Sequence, residues 1–364
     1  MLYCMLYRKI TGKIKNYRRN TMFKKLISFA LVCVMTISCS AVCFADTLMQ
    51  VVKKEVSVPP NLLVLGDSIA AGVGLEGYTG TGNGPKGCYA SILAEKYQKE
   101  LPESCAMKMD NKAVSGYTSE DLLKQLTSAS VDKNVLSSCA VVISIGGNDL
   151  MRPALEFVEK DLGLKTPEDI KNFNKAKLLL PSNLIKINEK LDEISTNLTK
   201  YGENLDKIIG YIKNKAPNTL IVVQTVYNPL DSNKSIETLA NMIGGKIDEL
   251  NAIINSHAKK ENGEQNYLVC DVHTAFKGKS SEYTNIDKYD IHPNAEGHKV
   301  ISELVDKQLR TGKYSYEELV EVKTSNNKVP KMSNTRIYVT VGLFFGGFLT
   351  LFVLIYIKFK HNTR

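Results

Sequence analysis

A chain of 364 residues with 43% hydrophobic content can bury one large core or two modest ones. Its formal charge of +9 sits at the ends, because residues 1–45 carry eight Lys or Arg and residues 358–364 carry three, with no acid in either segment. Without those eleven, 36 basic residues face 38 acidic ones, which excludes the electrostatic footprint of a nucleic-acid binder.

The first element follows Lys24-Lys25. Leu26 to Ala45 is uncharged and ends Ala41-Val42-Cys43-Phe44-Ala45, which reads as a secretory signal with small residues at the cleavage positions. Met22-Phe23-Lys24-Lys25 is then its natural start, and residues 1–21 an upstream segment. An uncleaved anchor is the alternative, since the run is long enough to span a bilayer. A lipoprotein site at Cys39 fits less well, because Thr36 stands where an aliphatic residue is usual. Residues 46–60 read as a polar lead-in.

Leu62-Leu63-Val64-Leu65 is a buried-type strand that stops at Gly66-Asp67-Ser68, setting Ser68 at its C-terminal edge. In open α/β sheets that edge is where ligands bind. Seven glycines between Ala70 and Gly87 forbid regular structure there, and they lack the order of a phosphate-binding loop. Tyr89–Lys99 reads as a helix and Ala106–Val114 as a mixed strand. A turn at Ser115-Gly116-Tyr117-Thr118 leads to a helix through Leu126, capped by Thr118 or Ser119.

Val141–Ile145 is a second buried strand, ending at Gly146-Gly147-Asn148-Asp149. Residues 150–216 hold apolar positions at helical spacing and form a helical insertion, either a lid over the site or plain helical padding. Leu220–Val223 and Tyr267–Val272 are further strands, with a helix from Ser235 to about His257 between them. A loop at Lys288–Pro293 precedes a helix over Asn294–Leu309. This alternation predicts a three-layer α/β/α domain with a parallel sheet over residues 61–312.

Residues 313–336 are polar and lysine-rich and read as a juxtamembrane linker. Residues 337–357 contain no charge and match a bilayer core, so a single transmembrane helix is predicted. The basic tail 358–364 then lies in the cytoplasm and the 61–312 domain outside the cell membrane. Of the cysteines in the exported part, Cys139 and Cys270 border apolar runs. Cys88 and Cys105 are candidates for a disulfide in an exported protein.

Four blocks, Gly66-Asp67-Ser68, Asn111 to Gly116, Gly146-Gly147-Asn148-Asp149 and Asp290-Ile291-His292-Pro293, occur in this order between residues 62 and 298. In this the chain resembles the SGNH (GDSL) hydrolase family of serine esterases and lipases. The resemblance implies a flavodoxin-like sheet and an acyl-serine intermediate formed without metal or organic cofactor. It implies Ser68 as nucleophile, His292 as base, and an oxyanion hole of the Ser68 and Gly116 N–H groups and the Asn148 amide. Gly116 is read as letting the backbone approach closely, and Asp149 as supporting its loop. The family usually has an aspartate three residues before the histidine, where this chain has Tyr289. Asp290 is therefore the expected orienting acid, with Asp287 in reserve.

Expected substrates are small-molecule, lipid or glycan acyl esters. The family includes lipases, thioesterases, O-acetyl esterases and lysophospholipases. No Gly-x-Ser-x-Gly elbow of the α/β-hydrolase kind is present. The competing reading is a surface-anchored module that binds glycan or lipid on a degenerate hydrolase scaffold.

Overall fold

The computed structural model describes residues 48–322 except 167, 170, 171 and 233–236. The signal segment, the 337–357 span, the basic tail and the linker beyond 322 lie outside the described residues. Among the described residues no helix is long and apolar enough to cross a membrane. The chain divides into a unit of Lys53–Glu318 and a second of Met1–Val52 with Leu319–Arg364.

Five strands build the main sheet: β2 (Asn61–Gly66), β3 (Lys108–Asn111), β4 (Ala140–Ser144), β5 (Leu220–Gln224) and β6 (Leu268–Cys270). All pair in parallel in the order β3-β2-β4-β5-β6. The chain thus adds strands first to one side of β2 and then to the other, the flavodoxin-like order. This leaves a crevice at the C-terminal ends of β2 and β4, where the winding reverses.

The strands are apolar on both faces because helices cover both. Leu63, Leu65, Val141, Ile143, Ile221 and Val223 face one apolar cluster. It is closed by α3 (Ser119–Leu126), α4 (Ala129–Ser137), α6 (Pro181–Lys215) and α7 (Glu237–His257). Leu62, Val64, Ala140, Val142 and Val222 face the other, closed by α2 (Tyr89–Glu100), α8 (Val272–Phe276) and α10 (Ala295–Leu309). The remaining helices are short: α1 (Ser68–Ala71), α5 (Gly147–Glu156) and α9 (Ser280–Tyr283).

Several boundaries differ from the sequence reading. β3 shrinks to Lys108–Asn111, although Lys112 and Val114 still donate to Val64 O (2.8 Å) and Gly66 O (3.0 Å). β6 ends at Cys270 because Asp271 Oδ1 accepts from Thr274 N (3.1 Å) and caps α8. The lead-in and the start of the linker are strands, β1 (Leu48–Val56) and β7 (Tyr314–Val322), which form a two-stranded sheet. The missed signal was period-two alternation in β7, where Tyr314, Tyr316, Glu318 and Val320 are less exposed than Glu317, Leu319 and Glu321.

The main element of the 150–216 insertion, α6, is the crossover from β4 to β5, and it buries Ile194, Leu198, Tyr201, Leu205, Ile208 and Ile212 in the first apolar cluster. Cys88, Cys105, Cys139 and Cys270 are free thiols, so the candidate pair Cys88 and Cys105 is not joined. Cys88 instead turns inward at the start of α2, where Sγ donates to Ala70 O (3.4 Å) and burial pushes the thiol up to about 11.

Candidate active site

The end of β2 is shaped by one close approach. Asp67 N donates to Ser144 O (3.0 Å), and a Cβ added at Gly66 would stand 2.0 Å from that same oxygen. Gly66 also holds φ +142°, so no side chain fits there. Asp67 then caps α1 by accepting from Ile69 N (3.1 Å), which sets Ser68 on the first turn. Ser68 is 9% exposed, and neither its N–H nor its hydroxyl has a hydrogen-bond partner among the described residues.

Asp67 is buried, and burial pushes its carboxyl from 3.8 up to about 7. The carboxylate of Asp149 pushes the same way.

The second block ties the neighbouring strand to this turn. Asn111 Nδ2 donates to Ala70 O (2.7 Å) and its Oδ1 accepts from Ala113 N (3.0 Å), bracing α1 against the chain leaving β3. Gly116 follows with φ +83° and an N–H that has no acceptor among the described residues. A Cβ there would meet nothing within 4 Å. The glycine is thus needed for its left-handed backbone, and the space beside it is open. Thr118 caps α3 in a reciprocal capping box with Asp121.

After β4 the chain turns through Gly146, at φ +117°, into α5. Asn148 Nδ2 donates one hydrogen to Tyr117 O (2.9 Å), which leaves its second N–H for another acceptor. Asp149 accepts from Ser119 N (2.9 Å) and Ser119 Oγ (2.6 Å), binding the third block to the start of α3. It thus ties its loop to the start of α3, and burial raises its pKa.

The fourth block comes from the loop before α10. Asp290 Oδ1 lies 2.5 Å from His292 Nδ1 and accepts from His292 N at 3.0 Å. Asp287 has no such contact among the described residues. The loop packs on the turn after Ser68: a Cβ at Gly74 would be 3.0 Å from His292 Cβ and 3.1 Å from Asp290 Oδ2. Val73, next to Gly74, donates to Ser68 O (3.0 Å), and Asn285 Nδ2 donates to Gly74 O (3.2 Å). The fourth block thus meets the first, although no hydrogen bond joins Ser68 Oγ to the imidazole.

The GDSL-like Lipase/Acylhydrolase family model matches residues 64–300, well over half the chain, and spans all four blocks. This chain belongs to that family. It is accordingly a carboxylic ester hydrolase. It is 26% identical over 241 residues to the spore germination lipase LipC of Bacillus licheniformis, covering 66% of this chain and 91% of that protein. It is 24% identical over 245 residues to the uncharacterized protein YpmR of Bacillus subtilis strain 168, covering 67% and 79%. Among solved structures it is similar to phospholipase A1 from Streptomyces albidoflavus NA297, with 20% identity, a TM-score of 0.49, and 68% and 98% of the two chains covered.

Within this GDSL-family chain, residues outside the four blocks also brace the site. Tyr227 Oη donates to Ile291 O (2.7 Å), fastening the histidine loop to the chain leaving β5. Arg152 Nη2 donates to Gly116 O (3.0 Å). Tyr227 lies three residues past β5, a position that topology alone marks as site-proximal; Arg152 had only its i+4 spacing from Asn148 as a signal. His298 is a core residue, 0% exposed, whose ring burial holds to about 3. A cavity of about 520 Å³ lined by Leu93, Lys96, Lys299 and Glu303 opens between α2 and α10 and includes no block residue. Among the described residues no cluster of three His, Cys, Asp or Glu is set to hold a metal ion.

Proposed function

We propose that this GDSL-family chain cleaves acyl esters through an acyl-serine intermediate on Ser68. His292 Nε2 takes the Ser68 proton as Oγ attacks the ester carbonyl, and Asp290 keeps the other ring nitrogen protonated and the imidazole oriented. The negative charge on the carbonyl oxygen is received by the Ser68 and Gly116 N–H groups and the second Asn148 N–H. The alcohol leaves with the proton from His292, and water, deprotonated by the same nitrogen, releases the acid. One observation carries this reading: Asp290 grips both the ring and the main chain of His292, while that loop packs on the turn after Ser68. It supplies the acid that a binding module on a degenerate scaffold would lack, and so favours turnover.

We further propose that the domain works outside the cell membrane, exported by the signal at 22–45 and tethered by a single pass at 337–357. The uncharged 337–357 segment followed by Lys358, Lys360 and Arg364 supports this orientation. A lipid acyl ester is the favoured substrate class, in keeping with the lipase named among similar proteins.

The test uses the full chain. It should release p-nitrophenol from p-nitrophenyl butyrate, and a fluorophosphonate should label Ser68. Undiminished turnover by Ser68→Ala would reject the mechanism. Protease added outside intact cells should cut the 53–318 unit free; protection of that unit would reject the orientation.

A further inference from the structure

α6 is far longer than its crossover requires: 35 residues, or about 52 Å. Its C-terminal end feeds β5 at the N-terminal edge of the sheet. Tyr201 Oη meets Ile145 O (3.3 Å), one residue past the C-terminal end of β4. The residues of α6 before Tyr201 therefore extend beyond the edge that carries Ser68. At 1.5 Å per residue, Leu184 stands about 25 Å past that edge.

This projection is a two-helix arm. α5 and the helical turn that continues it, Phe157–Asp161, run alongside α6 in the opposite direction, with Asn197 Nδ2 on Asp149 O (3.2 Å), Lys190 near Glu156 (3.6 Å) and Lys186 on Asp161 (2.6 Å). No described residue between Phe157 and Glu193 joins either apolar cluster. The end of the arm is nevertheless apolar: Leu180 is 49% exposed, Leu184 44%, Ile185 59%, and Leu155 on α5 47%. Single exposed leucines are ordinary. Three within six residues, at the tip of an arm standing beyond the catalytic edge, form a patch.

Charge says what would cover it. Residues 172–188 contain Lys175, Lys177 and Lys186 and no acid. Lys177 has no ion pair among the described residues. Large aliphatic side chains interleaved with lysines suit the boundary of a bilayer, with the aliphatics in the acyl region and the cations at anionic headgroups.

We propose that the tip of this arm, Leu180, Leu184 and Ile185 with Lys177, docks on an anionic lipid bilayer. The docked surface lies beyond the edge that carries Ser68, so docking turns the site toward the bilayer, and an acyl ester drawn out of it is the one presented for cleavage. That last consequence rests on the ester-hydrolase reading; the docking does not.

The chain contains no tryptophan, so Leu184→Trp creates a single reporter in the full chain. Incorporated into phosphatidylcholine vesicles with 30% phosphatidylglycerol, it should shift to the blue and be quenched by bromolipid. Leu136→Trp, on the helix entering the N-terminal end of β4 and 56% exposed, should not. No quenching at 184, or equal quenching at both positions, overturns the proposal. A blue shift without vesicles that grows with protein concentration assigns the patch to a second copy and also overturns it. The variant Leu180→Glu/Leu184→Glu/Ile185→Glu should lose at least about tenfold in hydrolysis of vesicle-embedded ester. Its turnover of soluble p-nitrophenyl butyrate should stay within about twofold of wild type. If wild type cleaves neither ester, the hydrolase reading fails while the quenching result still decides the docking.

Discussion

Asp290 and His292 are two residues apart, yet one carboxylate oxygen reaches both the ring nitrogen and the main-chain N–H of the histidine. The chain bends enough because Tyr289 between Asp287 and Asp290 holds φ +60° and closes the turn Ile286–Lys288, with Tyr289 N on Ile286 O (2.9 Å) and Asp290 N on Asn285 O (3.2 Å). The left-handed residue turns Asp290 back toward His292, which makes up for its shorter spacing.

This geometry separates the two candidate acids. Asp290→Asn should lower kcat for a soluble ester by about 100-fold or more, since the amide favours the wrong ring tautomer. Asp287→Asn should change it by less than about twofold, as expected for a loop substitution with no lost contact. Parallel kinetics on the two variants decide between them; equal losses would remove Asp290 from its role.

Asn148 is held by one N–H and keeps the other. Asn148→Ala should reduce kcat by about 10²–10³ with little change in KM, because the lost donor acts on charge that develops only in the transition state. A matching rise in KM would mean that the side chain binds ground-state substrate.

The two glycines differ in the reason they are required. Gly66→Ala drives a Cβ into Ser144 O, where the ends of β2 and β4 meet, and should abolish soluble expression. Gly116→Ala meets open space and bears only the left-handed backbone, about 1–2 kcal/mol. Urea unfolding of Gly116→Ala should show that modest loss alongside a larger loss of turnover.

Buried Asp67 and His298 impose opposite pH dependences. The folded pKa of Asp67, about 7, lies above its ordinary 3.8, so the folded state holds the proton longer and stability falls as pH rises between about 4 and 7. The folded pKa of His298, about 3, lies below its ordinary 6.5, so stability falls as pH drops between about 6.5 and 3. The two slopes, roughly 1.4 kcal/mol per pH unit each, largely cancel where they overlap. Asp67→Asn removes one of them. Measured by urea unfolding, it should gain roughly 2–3 kcal/mol relative to wild type between pH 5 and pH 8. A constant difference would show that Asp67 titrates normally.

Patterns along the chain determined much of this protein. Uninterrupted aliphatic runs at Leu62, Val141 and Leu220 marked strands covered on both faces, and four short blocks named the residues worth comparing. Buried strands and tight turns are written locally, in hydrophobicity and backbone preference, so a reader of the chain can find them. Tertiary structure alone decided the rest: that Asp290 and not Asp287 grips His292, that Cys88 turns inward unpaired, that Tyr227 fastens the histidine loop, and that about a third of α6 stands clear of the core. Each depends on a φ angle, a burial or a neighbour contributed by a distant segment, and no local pattern encodes the packing of the sheet that brings those segments together.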